Sequence, residues 1–325
     1  MARVARIEKT GGPEVIQWVD VDLPDPGPGE VRMRNTAVGL NYIDTYFRKG
    51  LYPAELPMGL GSEAAGVIEA IGSGVEGFAV GDRVGTFGPA RGAYATERNL
   101  PAAQVMTLPD SVDDRTAAAL LLKGCTAEFL VERCAKVEAG QTVLVHAAAG
   151  GVGHLLVGWL KAIGATVTGS VGTADKAEQA RAAGADHVLI HKEVDVAMEV
   201  RAITGGKGVP VILDGVGKAT WEVSLASAAK RGLIVSYGNA GGAVDGVALG
   251  VLASKGSLFV TRPTLFDYYL DHAERQKGTD RLFEMLMKGA IVPEIGQTFA
   301  LEEAADAHRA LEAGETRGAT VLIPR

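Results

Sequence analysis

The sequence predicts an α/β protein of two domains, a doubly wound parallel sheet and a smaller β-rich domain closed into a partly open barrel. Three observations predict it. Beyond residue 140, short β-branched runs alternate with helical patterns across short connections, the rhythm of βαβ units. The first of these strands runs into its helix through a glycine-rich turn, Ala147-Ala148-Ala149-Gly150-Gly151-Val152-Gly153. The first third of the chain instead carries alternating strands bounded by Pro and Gly clusters, and a chain of 325 residues is long enough for both parts.

The elements follow in order. Val31–Val38 alternates apolar or small with polar residues, as does Gly66–Ile71; Pro24–Gly29 and Gly72–Gly77 bound them, and Gly81-Asp82-Arg83-Val84 enters a further strand. Ser111-Val112-Asp113-Asp114 has the spacing of a capped helix start. The helix it opens is expected to end at Lys123-Gly124, with a second helical stretch to about Val137. Parallel strands are expected at Thr142–His146, Thr166–Ser170, Val188–Ile190, Val211–Asp214 and Leu233–Tyr237, with helices at 152–163, 174–183, 195–203 and 219–230. After Ser257–Thr261 the alternation stops. A helix over Asp267–Lys288, a short strand, a helix over Leu301–Ala313 and a last strand, Thr320–Ile323, are expected to return to the first domain. The expected boundaries are therefore 1–122 with 266–325 for one domain and 123–265 for the other.

Bulk properties exclude several functions. The net charge is −7, from 32 basic and 39 acidic residues that intermingle, so no basic stripe supports nucleic-acid or membrane binding. Two cysteines, Cys125 and Cys134, read as reduced thiols in a cytoplasmic protein, and the N-terminus lacks the apolar run of a signal peptide. Ala139–Leu160 has no Lys, Arg, Asp or Glu, but glycines and two histidines divide it into strand, turn and helix, so it reads as a buried unit, not a membrane span.

At the glycine turn, small residues let the backbone bend and approach a pyrophosphate, whose charge the helix N-terminus favours. The motif is imperfect, with Leu156 where a third Gly or Ala is usual, and the alternative is a tight turn without a ligand. Its place inside the first βαβ unit favours a dinucleotide. An NAD site usually carries an acid at the end of the second strand. Here that strand ends Thr168-Gly169-Ser170-Val171-Gly172-Thr173 with no carboxylate, and Thr173 and Lys176 offer donors to a 2′-phosphate, which points to NADPH. Asp175 offers a ribose ligand instead, and Thr173–Lys176 also reads as a capped helix start with solvated charges.

Two thiols cannot build a four-thiolate zinc site. The six histidines (146, 154, 187, 191, 272 and 308) show no His-Glu-x-x-His pattern and read mostly as surface or packing residues; no Gly-x-Ser-x-Gly elbow supports acyl transfer. Hydride transfer remains, with the cofactor carrying the chemistry. For a substrate, Asn41-Tyr42-Ile43-Asp44-Thr45-Tyr46 and Gly50-Leu51-Tyr52-Pro53 supply tyrosines able to stack on a planar acceptor and donate to its oxygen, or simply to cover the open end of the barrel.

Asn41–Tyr46, Gly59–Gly66, Leu122-Lys123-Gly124, His146–Gly153, Ser236-Tyr237-Gly238-Asn239 and Val260-Thr261-Arg262-Pro263 together resemble the zinc-free medium-chain dehydrogenase/reductases. Within these the chain is similar, over essentially its whole length, to bacterial NADPH:quinone oxidoreductases of the zeta-crystallin type. The resemblance implies a GroES-like barrel beside a Rossmann domain. It implies no metal, since Gly61-Ser62-Glu63 stands where zinc-dependent relatives have Gly-His-Glu and the four-cysteine lobe is absent. It implies that Ala148, Gly150, Gly151, Val152 and Gly153 hold the pyrophosphate and that Thr173 and Lys176 face the 2′-phosphate. Asn41, Lys123, Tyr237, Gly238 and Asn239 would lie beside the ribose and nicotinamide, with Asp44, Tyr46 and Tyr52 lining the substrate pocket. In two places the chain departs from relatives: His191 replaces a tyrosine near the adenine-side phosphate, and Gly314 replaces an arginine, for which Arg317 is the candidate substitute.

The expected function is reduction of a quinone-like acceptor in an interdomain cleft by hydride from NADPH, in a homodimer joined through the sheet edge at Ser257–Thr261. The alternatives are an enoyl or alkenal reductase, which must also deliver a proton to carbon, and a non-catalytic NADPH-binding protein with a structural or RNA-binding role. The acidic balance argues against RNA.

Overall fold

Six strands lie parallel in one sheet: β1 (Thr142–His146), β2 (Thr166–Val171), β3 (His187–Ile190), β4 (Val209–Asp214), β5 (Ala228–Ser236) and β6 (Phe259–Thr261). This computed structural model describes all 325 residues. The strand order is β3-β2-β1-β4-β5-β6, a doubly wound Rossmann sheet whose winding reverses between β1 and β4. Val143, Leu144 and Val145 are completely buried, as expected of a central strand covered on both faces, which is why β1 reads as an unbroken apolar run. The helix Gly151–Ala162 follows β1, and Ala174–Ala182 follows β2. Residues Gly124–Tyr268 and Glu284–Val292 form this unit. The later segment belongs here because it packs on the first helix: His154 Nε2 lies 3.1 Å from the Val292 carbonyl oxygen.

The other unit comprises Met1–Lys123, Tyr269–Phe283 and Pro293–Arg325. Its central strand, Glu30–Leu40, pairs antiparallel with Glu63–Ile71, Glu97–Pro101 and Ala319–Ile323. A small sheet sets Ala2–Ile7 between Gln17–Val21 and Met58–Gly59. Val31, Met33 and Asn35 point inward while Arg32 and Arg34 face out, the alternation visible in the sequence. The core gathers Ile7, Met33, Leu60, Ile68, Val84 and Leu100. No helix of the chain is long and apolar enough to cross a membrane.

Four local expectations need correction. The helix near residue 111 begins at Asp114, and its cap is Asp113, not Ser111: Asp113 Oδ1 accepts from the Thr116 amide at 3.0 Å. That helix does not break at Gly124 but runs Asp114–Glu128 and continues as a π turn over Phe129–Cys134. A mid-helix glycine costs about 1 kcal/mol, which burial of Cys125, Ala127, Phe129 and Leu130 offsets. The long C-terminal helix starts at His272, after a 3₁₀ turn at Leu265–Asp267, because Asp271 Oδ1 caps it by accepting from the Glu274 amide. The helix expected over 219–230 ends at Ser227, since Ala228 is already paired to Val209 of β4; sheet pairing overrides the helical preference of Ala and Lys there.

Candidate functional site

The candidate residues of the parallel-sheet unit all follow the C-terminal ends of its strands, where ligands of such sheets bind. After β1 the chain turns through Ala147, at a φ of 52°, into an extended Gly150 that serves as N-cap of the helix Gly151–Ala162. No side chain caps this helix. The amides of Gly151, Val152 and Gly153 therefore begin it as donors without intrahelical acceptors. The turn folds tightly on itself: a Cβ on Gly153 would lie 2.1 Å from the Ala147 carbonyl oxygen, so only glycine fits. Ala148 anchors the turn to β2 through its amide, 3.2 Å from the Ser170 carbonyl oxygen.

After β2, Thr173 caps the helix Ala174–Ala182, its hydroxyl accepting from the Lys176 amide at 3.4 Å. The capping role weighed from the sequence is thus real, and it leaves the hydroxyl proton of Thr173 free to serve another acceptor. Lys176 is partly exposed, and the exposed His191 after β3 brings its ring to the same rim, against Gly172. After β5, the amide of Tyr237 donates to the Asp214 carbonyl oxygen at 2.8 Å. Arg262 donates to the Ser236 carbonyl oxygen at 2.7 Å and, with the Asn239 amide turned to suit, to Asn239 Oδ1 at 2.9 Å. That clamp fixes the segment Tyr237-Gly238-Asn239.

In the barrel unit two of the candidates, Asn41 and Lys123, converge on a carboxylate that stands in the sequence only as one member of the segment Gly59–Gly66. Glu63 is completely buried. Its Oε1 accepts from the Leu122 amide at 2.6 Å, and its Oε2 accepts from Asn41 Nδ2 at 2.8 Å and lies 3.6 Å from Lys123 Nζ. Lys123 also donates to the Leu40 carbonyl oxygen at 3.2 Å. Burial pushes the Glu63 carboxyl above its ordinary range, against the pull of Lys123 and the other donors. Gly39 makes the room, because a Cβ there would sit 2.3 Å from Glu63 Oε2. The signal in the sequence was a lone acid in an apolar strand, which must find a partner.

Asn41 caps the helix Tyr42–Lys49, and its amide donates to Asp44 Oδ2 at 3.0 Å. Asp44 is 1% exposed, and both its oxygens are engaged by protein donors: Ser62 Oγ at 2.8 Å on Oδ1, the Tyr94 hydroxyl at 3.1 Å on Oδ2. It therefore acts on its surroundings through Asn41, Ser62 and Tyr94. Burial raises its carboxyl to about 6 despite these donors. Tyr94 in turn lies 2.9 Å from Nε2 of His308, whose pKa burial and the neighbouring Arg48 lower to about 3. Tyr94 and His308 were not among the expected residues. Tyr46 and Tyr52 meet edge to face at 5.3 Å, and Tyr52 also lines a cavity of about 300 Å³ with Phe47, Lys49, Leu56 and Met58. Arg317 lies in the turn before the last strand of the barrel unit, its amide bonded to Gln297 Oε1 at 3.0 Å. No cluster of three or more His, Cys, Asp or Glu is arranged to hold a metal ion.

Comparison with known proteins agrees with this architecture. Residues 27–110 match the alcohol dehydrogenase GroES-like domain, and residues 151–269 match the zinc-binding dehydrogenase family. The chain is 49% identical to the quinone oxidoreductase of Pseudomonas aeruginosa and 44% identical to a 2-haloacrylate reductase of a Burkholderia species, with both partners covered completely in each case. The structure of the Escherichia coli quinone oxidoreductase complexed with NADPH superimposes with a TM-score of 0.97 at 44% identity, again over all of both chains. This chain belongs to the medium-chain dehydrogenase/reductase family.

Proposed function

We propose that the protein is a quinone reductase that takes hydride from NADPH and uses no metal. The observation that carries this reading is the uncapped, glycine-lined helix start after β1, at the switch point of a sheet whose second strand ends without a carboxylate. The full-length similarity to an E. coli enzyme complexed with NADPH supports it.

The residues suit the cofactor. The free amides of Gly151, Val152 and Gly153 and the missing Cβ at Gly153 form a cradle for a pyrophosphate, shared with Ala148 and Gly150. Thr173, Lys176 and His191 would hold the 2′-phosphate; Asn41, Lys123, Tyr237, Gly238 and Asn239 would serve the ribose and nicotinamide; Arg317 is a further candidate contact. When bound, NADPH supplies the hydride. Tyr46 and Tyr52 orient a planar acceptor by ring contact, and a tyrosine hydroxyl or water gives the proton to the reduced quinone oxygen. Glu63 fixes Asn41 and Lys123 for their part, while Asp44 fixes the start of the helix that carries Tyr46.

A second reading, an enoyl or alkenal reductase, draws on the similarity to 2-haloacrylate reductase. Steady-state assays with 1,4-benzoquinone, 1,2-naphthoquinone, an enone and 2-chloroacrylate separate the two. Quinones are expected to be the better acceptors; turnover of the alkenes alone would favour the second reading, and binding of NADPH without turnover of any would remove both. We also place the protein in the cytoplasm and read it as a homodimer formed along β6. That strand pairs only with β5, and Phe259 and Val260 are exposed on it. Sedimentation at the mass of a single chain would exclude the dimer.

A further inference from the structure

Residues at or next to the C-terminal ends of adjacent strands in the parallel sheet form a polar row where an apolar one would be expected. Ser170 of β2 stands in register with His146 of β1, and Leu213, just before Asp214 of β4, stands in register with Val145. Ser170, His146 and Asp214 are 3%, 1% and 1% exposed. Ser224, from the helix Trp221–Ser227 and itself fully buried, fills the gap between His146 and Asp214. Burying four such groups is costly unless each is paired, and these are paired in one line. Ser170 Oγ lies 2.9 Å from His146 Nδ1, His146 Nε2 lies 3.1 Å from Ser224 Oγ, and Ser224 Oγ donates to Asp214 Oδ2 at 2.9 Å.

The donors run in one direction. Ser224 spends its proton on the carboxylate, so it offers His146 only lone pairs, and Nε2 must carry the hydrogen. In the neutral ring Nδ1 is then an acceptor, and Ser170 donates to it. Burial, which lowers the basicity of His146, agrees with a neutral ring. Asp214 ends the line and holds the next loop as well, accepting from the amides of Val216 at 2.8 Å and Gly217 at 3.0 Å and from the Thr220 hydroxyl at 2.8 Å.

The glycine turn starts at the residue after His146. The loop 215–220 starts at the residue after Asp214, and the carbonyl oxygens of Ser170 and Asp214 receive the amides of Ala148 and Tyr237. We propose that His146 is a positioning residue for the dinucleotide: through Ser170, Ser224 and Asp214 it locks the ends of β1, β2 and β4 together and so holds the glycine turn and the loops beside it in the form that receives the cofactor. This rests on the reading of the turn as an NADPH site.

The test is NADPH titration of the full-length protein as wild type, His146→Phe, His146→Gln, Ser170→Ala and the His146→Phe/Ser170→Ala double variant. His146→Phe should weaken NADPH about tenfold, the size of a broken buried network. In turnover with 1,4-benzoquinone the loss should fall on the KM for NADPH rather than on kcat. His146→Gln, which can accept from Ser170 and donate to Ser224, should recover most of the affinity. Adding Ser170→Ala to His146→Phe should cost nothing more, because the partner of Ser170 is already gone. Variants that lose thermal stability but bind NADPH as wild type does would overturn the proposal, as would a glutamine no better than phenylalanine. If His146→Phe fails to fold, Ser170→Ala decides alone, with weakened binding in support and wild-type binding against. Wild-type protein that does not bind NADPH would instead remove the cofactor reading itself.

Discussion

Replacing Gly153 by alanine puts a methyl group 2.1 Å from the Ala147 carbonyl oxygen, 2.9 Å from its carbon and 3.0 Å from the Ala148 Cα. All three are backbone atoms, so no side chain can swing aside. Restoring ordinary contact requires the turn or the helix to retreat by roughly 1 Å, and overpacking of this kind costs about 1–3 kcal/mol. At about 2–4 °C per kcal/mol for a domain of this class, the melting temperature should fall by several degrees. The same retreat moves the amides of Gly151, Val152 and Gly153. If one or two charge-assisted hydrogen bonds to the pyrophosphate are lost, at about 1.5–3 kcal/mol each, NADPH affinity should fall by at least about tenfold. Gly250→Ala is the control: nothing lies within 4 Å of its Cβ and it opens a helix, so it should be neutral or slightly stabilising. Calorimetry and NADPH titration of the two variants decide the matter. A Gly153→Ala protein that melts and binds as wild type does would refute the reasoning about the turn.

Lys176→Ala should weaken NADPH by about tenfold while leaving NADH nearly untouched, since only the 2′-phosphate needs the ammonium; equal losses in paired titrations would show that Lys176 does not read that phosphate. Lys123→Met strands Glu63 in the interior, and chemical denaturation should show a loss of about 1–3 kcal/mol, less than for a fully uncompensated charge because Asn41 and Leu122 still donate to the carboxylate. Adding Glu63→Gln should recover part of that loss. Asp44 gives a pH test. Its pKa is raised from 3.8 to about 6 on folding, so the folded state holds the proton longer, and its contribution to stability is full below pH 4 and lost as pH rises through 6. A shift of about two units is worth roughly 3 kcal/mol. The stability of Asp44→Asn relative to wild type should therefore improve by that order between pH 4 and pH 7, and a pH-independent difference would contradict the burial argument.

The parallel sheet was legible because β1, β3, β4 and the second half of β5 are short apolar runs that alternate with helical segments across short connections, so local pattern and tertiary role coincide there. The glycine turn was legible for the same reason, since its steric demand acts within seven residues. Where pairing at a distance decides, the pattern misled. Ala228 and Ala229 read as helix but are held in β5 by Val209, and Gly124 reads as a stop but sits in a helix whose neighbours are buried. The buried polar groups were the hardest to see. Glu63, Tyr94, His308 and the line from Ser170 to Asp214 draw their meaning from partners between 10 and 214 positions away in the chain. The expectation that the histidines are mostly surface or packing residues fits His154, His187, His191 and His272, whereas His146 and His308 are buried and hydrogen-bonded, which their sequence context does not show. Asp113 displaced Ser111 as a cap because two neighbouring residues could both fill the role, and only the start of the helix decides between them.

The central claim is that hydride passes from bound NADPH to a quinone without a metal. It is tested most directly by mixing protein preloaded with one equivalent of NADPH, in the presence of a chelator, with 1,2-naphthoquinone in a stopped-flow instrument. The expected result is loss of the NADPH absorbance in a single turnover, matched by acceptor reduction and slower when NADH replaces NADPH. Bound NADPH whose absorbance persists in the presence of the quinone, or is lost only when chelator is left out, would contradict the account.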